Sequence, residues 1–116
     1  MRYQDLTQPQ LLHVLRTTAV AYLSLAAEDQ PYTVPMSFSL DAEGETPLIR
    51  MSTSSYSLKA AILRRNPRVC LAFSLMDCAW VDSVLLLGTA VFCGEDPDLH
   101  ITVPGELLTG RRYYLD

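Results

Sequence analysis

From position 52 to 57 the chain carries six hydroxyl side chains in succession, Ser52, Thr53, Ser54, Ser55, Tyr56 and Ser57, and two positions later stands its only lysine, Lys59. That combination could hold an anion. If a helix begins after Ser57, its first N–H groups lack intrahelical partners and carry partial positive charge. The hydroxyls add neutral donors, and the ammonium adds a full charge able to follow a phosphate. The same residues also make an ordinary capped turn with a solvated lysine, so the spacing alone leaves both readings open.

No other cluster reads as a catalytic constellation. His13 and His100 do not form a metal spacing, and the serines have no positioned His and Asp to make a triad. Each histidine reads as structural or exposed, His13 on the polar side of the first helix. Cys70, Cys78 and Cys93 are odd in number and lack C-x-x-C spacing, which argues against a disulfide framework and against a zinc cluster, so no metal is expected. Cys70 and Cys93 lie in apolar stretches and read as buried, inert thiols.

The elements that must position these residues follow from periodicity. Thr7 caps a short helix with Pro9 in its first turn and an apolar stripe of Leu11, Leu12, Val14 and Leu15, ending near Arg16. Ala19 to Ala26 reads as a strand covered on both faces, and Ala27 to Pro31 as a polar turn. Tyr32, Val34, Met36, Phe38 and Leu40 alternate with polar residues, which predicts one strand over 32–40; Pro35 places it at an edge or a bulge. After an acidic turn from Asp41 to Pro47, Leu48 to Thr53 is a strand. Ser57 caps a helix from Leu58 to Arg65 that Asn66 and Pro67 stop. Val69 to Leu75 and Trp80 to Cys93 read as two more strands, the second bent at Gly88, and Leu99 to Val103 as a short sixth. Six strands joined by turns predict a mainly antiparallel sheet closing into a small barrel, with the 58–65 helix plugging or flanking it; an open sheet with two helices on one face is the alternative.

At 116 residues the chain is one domain, 1–116, with 49% hydrophobic and 19% charged residues. Nine basic residues against thirteen acidic ones give a net charge of −4, the wrong sign for a nucleic-acid or anionic-membrane surface. The apolar segment 18–27 starts late for a signal peptide, and Asp5 dilutes its basic flank. No apolar run reaches the roughly 20 residues of a membrane span. A cytoplasmic location is expected.

Three runs carry a resemblance: PYTVPMSFSL over 31–40, IRMSTSSYSLKAAILRRNPRVCLAF over 49–73, and WVDSVLLLGTAVF over 80–92. In order and separation they resemble the blocks of the pyridoxamine 5′-phosphate oxidase-like, FMN-binding split β-barrel family. The most specific piece is Lys59 seven residues ahead of Asn66, Pro67, Arg68 and Val69. The resemblance implies a six-stranded antiparallel split β-barrel that forms a homodimer and holds FMN at the subunit interface. It also implies that the backbone of Pro35, Met36 and Ser37 runs along the flavin ring, that Ser52, Thr53 and Lys59 contact the phosphate, and that Ser83 stands near the flavin. Trp80 reads as core, with a cover over the ring as the alternative. Thr109, Gly110, Arg111 and Arg112 resemble the ending of small relatives, and the arginine pair reads as solvated.

Departures shape the functional expectation. True oxidases of vitamin B6 carry arginines where this chain has Leu58 and Val34; their C-terminal substrate segment is not found, and the 93–99 connection is short. The resemblance therefore implies an FMN-dependent oxidoreductase of flavin reductase or nitroreductase type acting on a small organic molecule, with NAD(P)H as electron donor. Two alternatives are a flavin-binding or redox-sensing module without turnover, and a relative that binds deazaflavin or haem.

Overall fold

The computed structural model describes residues 1–115. The elements in chain order are β1 (Tyr3–Asp5), α1 (Gln8–Thr17), β2 (Val20–Ala27), β3 (Gln30–Ser37), β4 (Ser39–Asp41), β5 (Leu48–Ser54), α2 (Leu58–Arg65), β6 (Arg68–Met76), β7 (Trp80–Thr89), β8 (Val91–Cys93) and β9 (Asp98–Tyr114). Every pairing is antiparallel, and the strands run in the order β3-β2-β6-β7-β9-β5-β4, with β1 and β8 also on β9. The sheet curls into a split barrel, the expected fold class. Among the described residues it has nine strand segments where six were expected.

The helices begin where their caps dictate. The Thr7 hydroxyl accepts from the Gln10 backbone N–H at 3.4 Å and the Gln10 side chain accepts from the Thr7 N–H at 2.8 Å, a reciprocal capping box. Leu11, Val14 and Leu15 are then buried against β6, β7 and β9. In α2 the Ser57 hydroxyl accepts from Ala60 N–H at 3.2 Å, and Ala60 and Leu63 turn inward. The enclosed core contains Leu23, Ile49, Leu71, Phe73, Val84, Leu86, Ile101 and Val103, all fully buried. Each such side chain is worth about 1.5–3 kcal/mol of burial.

The strands depart from expectation at definite points. The predicted 32–40 strand breaks at Phe38: β3 pairs β2, and β4 pairs β5 on the other side of the split. Phe38 turns the corner with its ring edge-on to Phe73 at 5.2 Å. Pro35 lies on an edge strand, as its missing N–H requires. The turn before β3 is tighter than expected, because Glu28 and Asp29 both adopt positive φ (54° and 63°), the signature of a two-residue hairpin. β2 is covered on one face only: Ala21, Leu23 and Leu25 are buried while Val20 and Tyr22 are exposed.

The largest correction concerns the last strand. The expected five-residue segment is the start of a 17-residue β9 that pairs β5 and β8 with its first half and β7 and β1 with its second. At the crossing Gly88 meets Gly105, and the register shifts between Leu87 and Gly88. A Cβ on Gly88 would lie 2.5 Å from the Pro104 carbonyl oxygen, so no side chain fits. The expected 80–93 strand ends at Thr89, and Ala90 N–H donates to Pro67 O at 2.8 Å.

Three further readings are corrected. Trp80 is half-buried rather than core, its ring lying 4.4 Å from the Arg112 guanidinium. Arg112 is not solvated: it forks onto buried Asp82 with Nε–Oδ1 2.7 Å and Nη2–Oδ2 2.9 Å. Cys93 is exposed and Cys70 half-buried, because both alternate onto the outward face of their strands. Among the described residues no helix is long and apolar enough to cross a membrane.

Candidate cofactor-binding site

Alternation along β5 sorts the hydroxyls by face. Met51 is buried, Ser52 exposed, Thr53 half-buried, Ser54 exposed and Ser55 buried. The outward Ser54 closes the turn, its hydroxyl accepting from Tyr56 N–H at 3.2 Å. Thr53 lies inward toward the helix cap, its hydroxyl donating to Ser57 Oγ at 3.3 Å. Ser55 is anchored by its main chain: its N–H donates to Pro97 O at 2.8 Å and its carbonyl accepts from Arg64 Nη1 at 2.9 Å. Its hydroxyl, however, is buried and has no hydrogen-bond partner among the described residues. Leaving such a group unmet costs about 1–3 kcal/mol.

Lys59 stands half-buried in the first turn of α2. Among the described residues it makes no hydrogen bond or ion pair. Arg50, Arg65, Arg111 and Arg112, by contrast, each face a carboxylate. The strand-to-helix connection thus joins unpaired helix N–H groups, an unpartnered hydroxyl and an uncommitted ammonium, an arrangement chemically suited to a phosphate.

Ser37 and Ser52 are brought together from opposite sides of the split. They line a groove of about 360 Å³ with Phe38, Ser39, Arg50, Met51 and His100. Arg50 in that groove is tied to Asp41 at 3.2 Å, and the Glu43 N–H and Arg50 together hold the Asp41 carboxyl below its ordinary value. Pro35 is exposed and Met36 buried, so β3 offers this region its free main-chain edge more than its side chains.

Ser83 is not brought to this place. It lies on β7 in a separate groove of about 280 Å³ with Leu85, Thr109, Gly110, Arg111 and Tyr113. Ser52 pairs with His100 of β9 and Ser83 with Arg111 of the same strand. Those positions are about 36 Å apart along the strand contour, at about 3.3 Å per residue.

Sequence reasoning counts Ser55 among the six hydroxyls without singling it out, reads His100 as structural or exposed, and passes over Arg50. Alternation from Met51 could have put Ser55 inside, but its lost hydrogen bonding has no sequence signal. His100 becomes visible only once the length and register of β9 are known.

A family model described as pyridoxamine 5′-phosphate oxidase matches residues 7–109. The chain belongs to that family. All three blocks of the pyridoxamine 5′-phosphate oxidase resemblance fall inside the matched span, whereas Arg111 and Arg112 lie just beyond it. No curated protein matches the chain by sequence. Among solved structures, a FAD-binding protein from Mesorhizobium loti superposes with TM-score 0.85 at 18% identity, covering 97% of this chain and 99% of that one. A candidate 5-nitroimidazole antibiotic resistance protein from Bacteroides thetaiotaomicron gives 0.84 at 16% identity, covering 98% and 89%. The FAD binding protein from Mycobacterium smegmatis gives 0.79 at 14% identity, covering 97% and 100%. At such identities the likeness establishes the shared fold, and ligand and reaction must be argued from the site.

Proposed function

We propose that this member of the pyridoxamine 5′-phosphate oxidase family binds FMN and works as a small-molecule oxidoreductase of flavin reductase or nitroreductase type. The observation that carries the reading is the α2 entrance, where, among the described residues, Lys59 is uncommitted and the buried Ser55 hydroxyl has no partner. A terminal phosphate would answer both. Lys59 would supply the charge, the α2 N-terminus and the Thr53 and Ser57 hydroxyls the directed contacts, and the β3 edge from Pro35 to Ser37 main-chain groups for the ring. FMN fits this entrance better than FAD, because its phosphate is terminal and dianionic. Bound there, the flavin would carry the hydride chemistry, with NAD(P)H as donor, while the protein binds, orients and excludes water.

Leu58 and Val34 stand where vitamin B6 oxidases carry arginines, so the cofactor phosphate would rest on fewer charges here, and the short 93–99 connection supports an acceptor other than pyridoxamine phosphate. The named relatives, one concerned with 5-nitroimidazole resistance and two with FAD, favour flavin chemistry and include a nitroaromatic connection.

The reading extends to a homodimer. On the outer face of the sheet, Pro35, Tyr22, Ala72, Leu85 and Thr109 form one cross-strand row and Thr33, Ser24, Cys70, Leu87 and Leu107 the next. Neither row contains a charge, and Tyr22, Leu85, Leu87 and Leu107 are 40–52% exposed. A second copy of the chain is the partner that would cover this face. It is also the means by which the Ser83 groove and the Lys59 end could serve one cofactor.

The deciding experiment is to purify the protein, release its chromophore by denaturation and measure the chromophore's mass. The mass of FMN is expected, followed by NAD(P)H consumption with quinone or nitroaromatic acceptors. A colourless protein that takes up no FMN on titration would overturn the reading; a deazaflavin or haem would redirect it.

A further inference from the structure

The C-terminal arginine pair divides into two different groups. Arg112 is saturated by its fork onto Asp82, and its side chain is only 19% exposed. Arg111 is 51% exposed and lines the groove on the other side of the strand. Its backbone lies between Asp5 of β1 and Ser83 of β7. β1 grips the side chain twice: the guanidinium carbon sits 4.5 Å over the Tyr3 ring, and Nε lies 3.5 Å from Asp5 Oδ1. Tyr3 in turn packs on Tyr113, with ring centroids 6.0 Å apart. A long flexible cation is thereby held in one place, which lowers the entropy a ligand would otherwise spend ordering it.

The rest of the groove states what it would take. Ser83 and Thr109 supply hydroxyls that both donate and accept, Tyr113 an aromatic surface and Leu85 an apolar wall, in a volume of about 280 Å³. The fork of Arg111 matches a planar oxyanion. Its charge is shared with Asp5, so a monoanion is better matched than a phosphate dianion.

We propose that this groove is a binding subsite for a small planar carboxylate of the benzoate kind. Arg111 receives the carboxylate, Ser83 and Thr109 bond to polar ring substituents, the Tyr3 ring of β1 acts as the positioning group for Arg111, and the Asp5 carboxylate competes with the ligand for it. The role of the subsite as the place where an acceptor is selected rests on the flavin reading above; the binding itself does not.

The test titrates benzoate and its neutral isostere benzamide into the full chain, first free of FMN and then loaded with it, and follows backbone amide shifts by nuclear magnetic resonance. Benzoate is expected to move the amides of Ser83, Thr109, Arg111 and Tyr113, and benzamide to leave them still. Arg111→Gln is expected to weaken benzoate at least about tenfold, the scale of one charged hydrogen bond. Asp5→Asn, which removes the competing carboxylate, is expected to tighten it. Equal effects of the two probes, shifts centred elsewhere, or indifference to both substitutions would overturn the proposal. Because the first titration contains no flavin, its failure is distinct from failure of the FMN reading.

Discussion

Lys59 and Ser55 separate two consequences of the proposed phosphate site. Removing the ammonium by Lys59→Ala should weaken FMN by about 1.5–3 kcal/mol, the worth of a charged hydrogen bond, or roughly ten- to hundredfold in Kd. Flavin fluorescence quenching at low salt measures it, and an unchanged Kd would remove Lys59 from the site. Ser55→Ala should behave differently in the two states. Without ligand it deletes a buried group that has no partner among the described residues, so the free protein should melt no lower than wild type. With FMN it deletes a contact, so affinity should fall by about 1 kcal/mol. Lower stability of the free protein together with intact affinity would show that the hydroxyl serves the fold alone. Asp41 gives a pH prediction. The Glu43 N–H, and then Arg50, favour its ionised form in the native state, so its folded pKa lies below the ordinary 3.8. Its stabilisation is therefore complete above 3.8 and is lost as pH falls through the lower folded value. Thermal midpoints of wild type and Asp41→Asn should differ at neutral pH and converge in acid below 3.8; a constant gap would contradict the assignment.

At the scale of elements, the β7–β9 crossing is the least forgiving point. Gly88→Ala would drive a methyl to 2.5 Å from the Pro104 oxygen and 2.7 Å from a Val103 methyl, backbone on one side and buried core on the other. We expect a loss of about 1–3 kcal/mol or more in urea unfolding, the cost of overpacking, and a loss under half of that would mean that the crossing yields easily. The bend at Gly88 was legible in the sequence because a lone glycine inside an apolar run has few other uses. The helices were legible too, since Thr7, Pro9 and Ser57 are local signals. The continuation of β9 was not, because Pro104, Gly105 and Gly110 look like breaks until β7 and β1 are known to pair with them. Trp80 and Arg112 were misread for the same cause: their environment is made by residue 82 on one strand and residue 112 on another. For the site, the helix cap and its lysine could be read locally, whereas the separation of Ser83 from Ser52 depends on register along β9.

At the scale of the whole molecule, the outer sheet face decides whether one chain suffices. Apolar residues on a solvent-facing strand position are common singly, but here Tyr22, Leu85, Leu87 and Leu107 share a face whose two central rows hold no charge. The rows are bounded by charge, with Arg111 beyond one side and Arg68 and Glu106 beyond the other. An apolar stripe with a charged rim is the pattern of a surface that another protein covers. A two-fold pair would satisfy it with the chain's own complement, and would bring a second copy of the Ser83 groove to the flavin that, in the proposed reading, the first copy's Lys59 would hold. Leu85→Asp combined with Leu87→Glu leaves the core intact, since both side chains point outward, but places two carboxylates opposite their own copies. Light scattering after gel filtration should show a dimer for wild type and a monomer for the double variant, with FMN affinity falling together with assembly. A wild-type monomer that retains flavin would mean that a single chain encloses its cofactor, and that the uncharged face serves some other partner.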